Sequence, residues 1–508
     1  MPEGVTVKTQ LLFNIKADGT FKVRFVVRGD LTTKGVHYLQ GKSNMASLEG
    51  VRMTVSFAAA EGWDLNKIDF TQAFIYAPQK NPHLYCELPL LPSDLKGSRL
   101  GSGKSSTRVG HMKRNLYGLV DAGRTFQEFL IEWMINELGA RLYINDRNIF
   151  EWSFGGETMR GAIHVDDVLY TSSGPVVRRE FLRRIRERFK ITGDEEDVED
   201  FCGMEIRRDR AAKTITMHQE KFGRKMMDKY DVWGERTETV PYNVSGPELV
   251  RFTGEATERE QFDYCMAIGD LLWYSRTNPG LMWRAHDLAQ FMQCPGPDHV
   301  VAAKRAFRYI LGRLGKGITY HGSDEVLKYP YDHRNKIILS TDASFYHAGA
   351  LATSGAAAFM NGGAIACKVR RQTTTSNTTA EAEVKACSVG MEMILALTDL
   401  HGEMTHVQHG TVRTIIDSVG AKAQVEIGMD NKVCASYKRA QVFCEDMVGR
   451  GLVWLDRVDG EFNPSDVLTK QMKNVEDFEN KAAFLCGERP YQHESAELHR
   501  IIESAARP

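Results

Sequence analysis

The segment GAIHVDDVLYTSS, residues 161–173, constrains the fold more than any other stretch of the chain. Two aspartates, Asp166 and Asp167, stand side by side between two short apolar runs. Apolar runs of this length are typical of buried strands, so the chain is expected to turn where the two charges lie. Adjacent carboxylates repel each other unless a cation or water compensates them. Two interpretations therefore remain open at this point, a solvated turn and a seat for metal ions.

Composition indicates an ordinary globular protein with several domains. The chain has 508 residues, of which 42% are hydrophobic and 26% are charged, enough for about three domains. A formal net charge of −1 gives no global attraction to nucleic acid, although a binding groove needs only a local basic stripe. The nine cysteines are scattered without a C-x-x-C pair, which predicts reduced thiols in a cytosolic or nuclear protein. We expect neither a membrane span nor a signal peptide.

The order of the predicted elements suggests two different architectures in succession. Strand-like and helical segments alternate up to a basic helix at 175–190, and residues 215–330 show mostly helical periodicity. From residue 336 onward the pattern changes to strands separated by glycine-rich turns, followed by a helix from about residue 379. We therefore expect a domain boundary near residue 330.

Asp69 is the first carboxylate that can join the twin aspartates. It ends the apolar segment LNKID and precedes a short helical stretch, a position at which a lone aspartate is usually a helix cap. Together with Asp166 and Asp167 it acquires a second interpretation. One carboxylate at a strand end and two at a hairpin tip can converge on two divalent cations, which is the arrangement that performs in-line phosphoryl displacement.

A second set of four carboxylates occurs in the C-terminal part. Two of them end predicted strands, one opens a helix, and one lies in the C-terminal segment FNPSDVLTKQM. Each alone is as compatible with a cap or a solvated side chain. Together they are what a second, hydrolytic two-metal site would use. The four are Asp342, Glu381, Asp417 and Asp466.

Several longer motifs occur in one order along the chain. From the N-terminus they are FKVRFVVRG, KIDFTQAF, KRNLYGLVDAGRTF, HVDDVL, FCGMEI, YCMAIGDLLWYSRTNPGLMWRAHDLAQFM, TTAEAEV and PSDVLTK. Each resembles a segment of the reverse transcriptase–RNase H part of copia-type LTR retrotransposon polyproteins. The match runs from about residue 10 to about residue 475. One such motif would be weak evidence, whereas their common order identifies the chain as a member of this family.

The resemblance implies a multidomain α+β/α/β fold. A right-hand polymerase with fingers, palm and thumb is followed by a helical connection and an RNase H-like α/β domain. The implied boundaries are 1–215 for the fingers and palm, 216–330 for the mostly helical thumb or connection, 331–475 for the RNase H-like domain, and 476–508 for a tail.

The resemblance also implies two activities, RNA-directed DNA polymerisation and hydrolysis of the RNA strand of RNA–DNA hybrids. Each site would use two Mg²⁺ or Mn²⁺ ions. The implied partners are an RNA template, a DNA primer, dNTPs, the hybrid itself, and the integrase and capsid parts of the same element. The implied location is a cytoplasmic virus-like particle or the nucleus, without a membrane.

Carried over residue by residue, the resemblance gives the carboxylates definite roles. Asp69, Asp166 and Asp167 fall on the polymerase metal ligands. The four C-terminal acids fall on the RNase H metal ligands. Glu383 is the alternative to Glu381, but it lies two residues further along the helix and is expected to face away.

The resemblance assigns five further residues to substrate binding. Phe74 falls on the aromatic steric gate that favours dNTPs over rNTPs, and an ordinary core phenylalanine is the alternative. Lys16, Lys22 and Arg24 are candidates to hold the incoming triphosphate, with exposed strand cations as the alternative. Asp121 stands where the family has a glutamine that helps to bind the nucleotide.

Some positions depart from the family pattern. His164 replaces a tyrosine, Gly123 replaces a proline, and Asp121 brings a negative charge where a triphosphate is expected. Ser418 replaces an asparagine, and Val384 replaces a tyrosine. These departures favour the competing hypothesis, an inactive or domesticated remnant that only binds nucleic acid or acts as a scaffold. The presence of all seven acids favours the enzyme.

Overall fold

The computed structural model of the chain describes residues 5–15, 19–41, 43–88, 108–194, 197–256, 258, 262–328, 332–345, 351–428, 435–489 and 498. The chain divides into two compact units. The first unit holds Met1–Ser47 and Leu65–Glu196, and the second holds Leu48–Asp64 and Asp197–Pro508. Among the described residues, no helix is long and apolar enough to cross a membrane.

A six-stranded sheet is the main layer of the first unit. In spatial order its strands are Ile191–Thr192, Asp64–Phe70, Asp167–Ser172, Glu157–His164, Ile149–Phe154 and Arg141–Leu142. Two smaller sheets accompany it, one of Val5–Val7, Leu84–Glu87 and Val109–His111, and one of Thr9–Ile15 and Phe21–Val27. The helices of this unit are Ala122–Trp133 and Pro175–Arg188, with shorter turns at Gly29–Leu31, Ala73–Tyr76 and Met134–Leu138.

The core of the first unit lies between the six-stranded sheet and its two helices. Phe126 of one helix, Phe181 of the other, and Phe150 and Tyr170 of the sheet are fully buried in one apolar cluster. Phe70 packs edge-on against Phe126, with ring centroids 5.2 Å apart. This packing fixes the strand Asp64–Phe70 beside the hairpin of 157–172, because both must bury their apolar side chains in the same cluster.

A five-stranded sheet is the main layer of the second unit. In spatial order its strands are Gly363–Arg371, Thr353–Met360, Ile338–Ala343, Val412–Ile416 and Val453–Arg457. The first three strands pair antiparallel, and the last three pair parallel. The helices that follow these strands are Thr379–Thr405, Val419–Ile427 and Ala435–Gly449. Parallel strands need such crossover helices, and the central strands are buried on both faces as a result.

The remaining part of the second unit combines a four-stranded sheet with helices. The strands are Asp200–Phe201, Met204–Asp209, Thr214–His218 and Gly317–His321. The helices and helical turns are Leu48–Glu61, Glu220–Lys229, Tyr264–Tyr274, Pro279–Ala289, Pro297–Leu311, Asp324–Leu327, Gly460–Phe462, Pro464–Leu468 and Val475–Leu485.

The helix Leu48–Glu61 belongs to the second unit although the chain on either side of it belongs to the first. Every residue from Gly50 to Ala60 is buried, so the helix has no solvent face. The Arg52 side chain donates to the Ile365 carbonyl at 3.2 Å, and the Ser56 hydroxyl donates to the Met360 carbonyl at 3.3 Å. Its apolar, alanine-rich sequence thus reflects a position inside the second unit.

The mixed sheets and helices confirm the expected α+β/α/β class. The boundaries at residues 215, 330 and 475 stay predictions. The expectation of a loose tail from residue 476 needs a correction, because Val475–Leu485 is a helix whose Phe478, Ala482 and Leu485 are buried. The apolar residues of this segment recur at the period of a helix, although no recognised motif covers it.

Candidate active sites

The first carboxylate site lies where two neighbouring strands of the six-stranded sheet meet a hairpin turn. The strand that carries Asp69 is adjacent to the strand that begins at Asp167. The Phe70 amide donates to the Asp166 carbonyl at 3.4 Å, which brings residue 69 beside the turn. The backbone contact places residue 69 next to the turn that carries Asp166 and Asp167, and the role of the three acids as one metal site stays a prediction.

The turn between the two hairpin strands is as short as a hairpin permits. Asp167 pairs with His164, so Val165 and Asp166 are the only residues of the loop. Val165 has a φ of 59°, the left-handed region that a β-branched residue rarely adopts. Such strain persists only where the surrounding structure enforces it, and it is common at functional sites.

The charges around Asp69 show how close these groups lie. Partial removal of water and, after it, the nearby Asp166 raise the pKa of Asp69, whereas Lys67 and Lys22 lower it. The Lys67 ammonium lies 3.8 Å from an Asp167 carboxylate oxygen. The three acids therefore share one electrostatic environment, and two lysines partly compensate it.

Two of the three predicted triphosphate cations reach this environment. Lys22 and Arg24 lie two residues apart on the strand Phe21–Val27 and so share one face of it. Lys22 acts on Asp69, and Arg24 acts on Tyr117 next to the site, in each case lowering the pKa. Lys16 lies outside the described residues.

Phe74 lies in the helical turn Ala73–Tyr76 that follows the Asp69 strand. Its ring packs against Tyr117 with the ring centroids 4.7 Å apart and against Phe126 at 6.4 Å. Phe74 is only half-buried, which leaves part of its ring accessible at the site. The ring also packs against two apolar clusters of the first unit, and its role as a steric gate stays a prediction.

Tyr117 is a site residue that the sequence reasoning missed. Burial raises the pKa of its phenol first, Asp166 and Asp69 raise it further, and Arg24 lowers it. The next residue, Gly118, has a φ of 90°, and a Cβ there would lie 2.0 Å from the Val27 carbonyl oxygen. The Val27 amide donates to the Tyr117 carbonyl at 2.8 Å. The Tyr-Gly pair inside the KRNLYGLVDAGRTF motif was the signal, since only glycine allows this close approach.

Asp121 directly precedes the helix Ala122–Trp133, and its expected role in nucleotide binding stays a prediction. It lines a cavity of about 480 Å³ together with Lys80, Arg124, Thr125 and Glu128. Burial raises its pKa, and Lys80 and Glu128 are the charges that act on it. Positions 121, 124, 125 and 128 follow the helical period, so Asp121 shares their side of the helix Ala122–Trp133.

Gly123 is the residue of this helix that faces the hairpin. A Cβ at residue 123 would lie 3.0 Å from a Val165 methyl group, 3.0 Å from the Ser43 hydroxyl oxygen and 4.0 Å from the Phe74 ring. The glycine at this position therefore gives room to the strained turn. The other departure near the turn, His164, is half-buried, and burial lowers its pKa while Asp166 raises it.

The second carboxylate site lies at the ends of two parallel strands. Asp342 is the second-last residue of the strand Ile338–Ala343. Asp417 directly follows the parallel neighbouring strand, Val412–Ile416. Asp466 lies in the helical turn Pro464–Leu468. One carboxylate oxygen of each lies within 4.8 Å of the others. Asp342 is 1% exposed and Asp466 is 6% exposed. Three of the four predicted acids thus form one buried cluster.

Of the two candidate glutamates of the helix, Glu383 is the one on which the charges of this cluster act. Burial raises the pKa of Glu383, and the next causes are the charges of Asp342 and Asp417. Glu381 instead forms an ion pair of 2.9 Å with Lys385 and accepts a hydrogen bond of 2.9 Å from the Asn377 amide. The Glu381 amide donates to the Thr378 hydroxyl at 3.1 Å.

The position of Glu381 at the start of the helix can be inferred from the sequence. Thr378 is the N-cap of the helix Thr379–Thr405, and Glu381 stands three residues after it, which is the spacing of a capping box. A glutamate that satisfies the start of the helix is not available to the sheet. Two residues later the helix has turned by about 200°, so Glu383 points toward the strand ends.

Two lysines and one hydroxyl contact the acids of the second site. Lys470 forms ion pairs with Asp466 and, at 3.5 Å, with Asp342. Lys481 lies 2.5 Å from the other Asp466 oxygen. The Thr469 hydroxyl donates to Asp342. Burial first and then Asp466 raise the pKa of both Asp342 and Asp417, so like charges are concentrated here despite the two lysines.

The donor sets of both sites fit divalent cations. Carboxylate oxygens are the ligands that Mg²⁺ prefers. Buried acids that face one another are unfavourable unless a cation compensates them, and the oxygens of Asp342, Asp417 and Asp466 are close enough to contact one ion. The Asn-to-Ser departure at residue 418 leaves this set intact, because Ser418 caps the next helix by accepting from the Ala421 amide at 3.1 Å.

A known family matches the first half of this chain, and individual known proteins match larger parts of its length. Residues 4–244 match the family described as "Reverse transcriptase (RNA-dependent DNA polymerase)". The "Retrovirus-related Pol polyprotein from transposon TNT 1-94" of Nicotiana tabacum is 23% identical in an alignment of 489 residues that covers 92% of this chain and 35% of that protein. The corresponding protein "from transposon RE1" of Arabidopsis thaliana is 24% identical over 298 residues, 59% of this chain and 19% of its own length.

A yeast relative and two solved structures extend the comparison. The "Transposon Ty1-JR2 Gag-Pol polyprotein" of Saccharomyces cerevisiae is 23% identical over 78% of this chain and 22% of its own length. A foamy viral protease-reverse transcriptase in complex with dsDNA aligns with a TM-score of 0.48 and 12% identity over 89% of this chain and 78% of that one. RNase H1 of Halobacterium salinarum aligns with a TM-score of 0.22 and 16% identity over 26% of this chain and 94% of its own.

The chain spans about a third or less of the length of these polyproteins. The reverse transcriptase match covers the first carboxylate site, and the polyprotein from tobacco extends the likeness to the second. The chain is thus similar to the Pol polyproteins of copia-type retrotransposons, and the reverse transcriptase match covers residues 4–244.

Proposed function

We propose that the chain is an RNA-directed DNA polymerase that acts at the first carboxylate site. The observation that carries this proposal is the convergence of Asp69 with Asp166 and Asp167 at a strained two-residue turn inside a reverse transcriptase domain. The substrates are an RNA or DNA template, a DNA primer and a dNTP. The primer 3′-hydroxyl attacks the α-phosphate of the dNTP, and pyrophosphate leaves.

The residues around the turn divide the work of binding. The three aspartates would hold two divalent cations, which activate the attacking oxygen and stabilise the leaving pyrophosphate when bound. Lys22 and Arg24 neutralise the negative charge of the triphosphate, which would otherwise be repelled by Asp69. Phe74 and Tyr117, whose ring centroids lie 4.7 Å apart, would form a wall against the sugar and select against a ribose 2′-hydroxyl.

We further propose that the second site hydrolyses the RNA strand of RNA–DNA hybrids. Asp342, Glu383, Asp417 and Asp466 would hold the divalent cations, which supply an activated water when bound. The burial of these acids at the ends of parallel strands supports this role, because their positions are fixed before a substrate arrives. In this arrangement the RNA template is destroyed by the same chain that copies it.

A primer-extension assay on an RNA template, with Mg²⁺ or Mn²⁺, tests the polymerase. We expect the wild type to extend the primer and Asp166→Asn/Asp167→Asn not to do so. Asp446→Asn, which changes an exposed acid of a second-unit helix, is the matched control and should retain extension. A wild type that extends nothing under either metal would contradict the proposal and favour the inactive remnant.

A labelled RNA–DNA hybrid tests the nuclease. We expect cleavage by the wild type and by Asp166→Asn/Asp167→Asn, and none by Asp342→Asn. Persistence of cleavage in Asp342→Asn would remove the second site from the mechanism. Asp166→Asn/Asp167→Asn and Asp342→Asn are each measured in both assays. A variant that keeps the activity of the other site is folded, so its loss of one activity reports a lost active site.

A further inference from the structure

One ammonium group stands among all four acids of the second site. Lys470 contacts Asp342 at 3.5 Å and forms an ion pair with Asp466. Its charge also acts on Asp417 and on Glu383. This nitrogen therefore contacts two acids of the proposed metal set, Asp342 and Asp466, directly.

The second lysine of the cluster has a different environment. Lys481 is 5% exposed and is held by three oxygens, from Asp466 at 2.5 Å, Asp477 at 3.1 Å and the Gly460 carbonyl at 2.8 Å. Two of these three lie outside the metal set, so Lys481 can remain in place when the cluster is occupied. It supports the turn that carries Asp466.

Lys470 has no comparable anchor. Its side chain is 41% exposed, and both of its ion-pair partners belong to the metal set. It follows directly after Thr469, whose hydroxyl also contacts Asp342. A flexible four-carbon side chain in this position can turn its ammonium into solvent without breaking any contact outside the cluster.

A divalent ion and this ammonium compete for the same oxygens. Mg²⁺ binds carboxylate oxygens at about 2.0–2.1 Å, so it must enter the space between Asp342 and Asp466. Two cations on one pair of carboxylates repel each other strongly in a partly buried site. The ion can therefore enter only when the ammonium leaves.

We propose that Lys470 is a resident counter-cation of the second site, which a divalent ion must displace, and that it sets the ion concentration at which the site fills. This inference rests on the proposed role of the four acids as metal ligands. Lys470 acts as a positioning residue, because it neutralises and holds the acids while no ion is bound. It also keeps the cluster stable during the time before a hybrid and its ions arrive.

Calorimetric titration of the full chain with Mg²⁺ tests the proposal. All proteins carry Asp166→Asn/Asp167→Asn, so that the first site does not contribute heat. Lys470→Gln is expected to bind Mg²⁺ about tenfold more tightly than the reference, since a competing charge has been removed. The same variant should melt at a lower temperature in EDTA and gain more from added Mg²⁺ than the reference does.

Three further variants make the outcomes separable. Lys470→Arg keeps the charge and should restore weak binding, while Lys473→Gln removes a charge from an exposed lysine nearby and should bind like the reference. Asp342→Asn should abolish the binding. If Asp342→Asn abolishes binding but Lys470→Gln binds equally or more weakly, the counter-cation is refuted and the metal site stands. If no binding depends on Asp342, both the metal site and the inference drawn from it fail.

Discussion

The two carboxylate sites of this chain use the same residue type in opposite surroundings. At the first site Asp69 is exposed, the twin aspartates are half-buried at a hairpin tip, and Lys67 approaches Asp167 only to 3.8 Å. At the second site the acids end parallel strands, Asp342 is 1% exposed, and two lysines contact Asp466 directly. The first site is open to solvent, whereas the second is largely buried and its acids contact two lysines.

This difference follows from what each site is proposed to bind. A polymerase must admit a new triphosphate in every cycle, and that substrate brings both negative charge and further metal ligands. A hydrolytic site receives a duplex backbone and a water molecule, so the protein must supply more of the ligands. At the open site, the cations of the strand Phe21–Val27 and the aromatic rings are therefore expected to bind the substrate. At the buried site, a network of charged side chains holds the acids in place.

The largest expected effect is the independent loss of each activity. Asp167→Asn should lower primer extension by several orders of magnitude and leave hybrid cleavage unchanged, because the aspartates of the two sites belong to different sheets. Asp342→Asn should do the reverse. Rates of extension and of cleavage on the same preparations check the prediction. Loss of both activities in either variant would show that the sites are coupled.

The second expected effect separates two glutamates of one helix. Glu383→Gln should lower hybrid cleavage by orders of magnitude, because Glu383 faces Asp342 and Asp417. Glu381→Gln should retain cleavage and lose about 1 kcal/mol of stability, because the Glu381 carboxylate accepts from the Asn377 amide at the start of the helix. Cleavage rates and urea unfolding measure the two quantities. Equal cleavage rates in the two variants would contradict the choice of Glu383 over Glu381 as a metal ligand.

The third expected effect concerns sugar discrimination at the open site. Phe74→Ala removes the ring that packs against Tyr117 and should raise the relative use of rNTPs roughly 10- to 100-fold. Incorporation of dGTP against GTP opposite the same template base measures the ratio. Phe462→Ala changes a partly exposed phenylalanine of the second unit and is the control. An unchanged ratio in Phe74→Ala would assign the ring to packing alone.

The fourth expected effect is a pH dependence of the buried site without metal. The pKa values of Asp342 and Glu383 are raised in the folded protein, so these groups stabilise the fold at pH values below about 4 and lose that contribution as pH rises through their raised pKa values. In EDTA, Asp342→Asn should therefore become more stable relative to the wild type as pH increases. Thermal unfolding between pH 4 and 8 checks the sign. A constant difference across this range would disagree with it.

The smallest expected effect is that of Asp121→Gln, which restores the residue typical of the family. Asp121 faces Lys80 and Glu128 in a separate cavity, so extension should change by no more than about twofold. Gly123→Ala is the contrast, because its new methyl group would lie 3.0 Å from the Val165 methyl and disturb the turn. Primer extension under subsaturating dNTP measures both. A large gain from Asp121→Gln would bring residue 121 back to the nucleotide.

Motif order was enough to predict the fold class, because the strand ends and turns have recognisable sequences. The two assignments that the contacts favour least lie on or directly before helices. Glu381 and Asp121 were chosen by alignment with a motif, although the capping-box spacing at Thr378 and the period of residues 121, 124 and 128 place both side chains on other faces. Tyr117 and Lys470 were missed because their roles depend on neighbours that are distant in sequence.

The helix Leu48–Glu61 has a consequence for the order in which the chain can be completed. During synthesis this buried helix emerges some three hundred residues before Met360 and Ile365, to whose carbonyls Ser56 and Arg52 donate. A fragment ended at residue 244, where the reverse transcriptase match stops, would keep the neighbouring strand Thr214–His218 but would lose these two partners. Residues 1–244 are therefore expected to be a poor unit for separate expression, and a more stable piece is expected to reach through the five-stranded sheet.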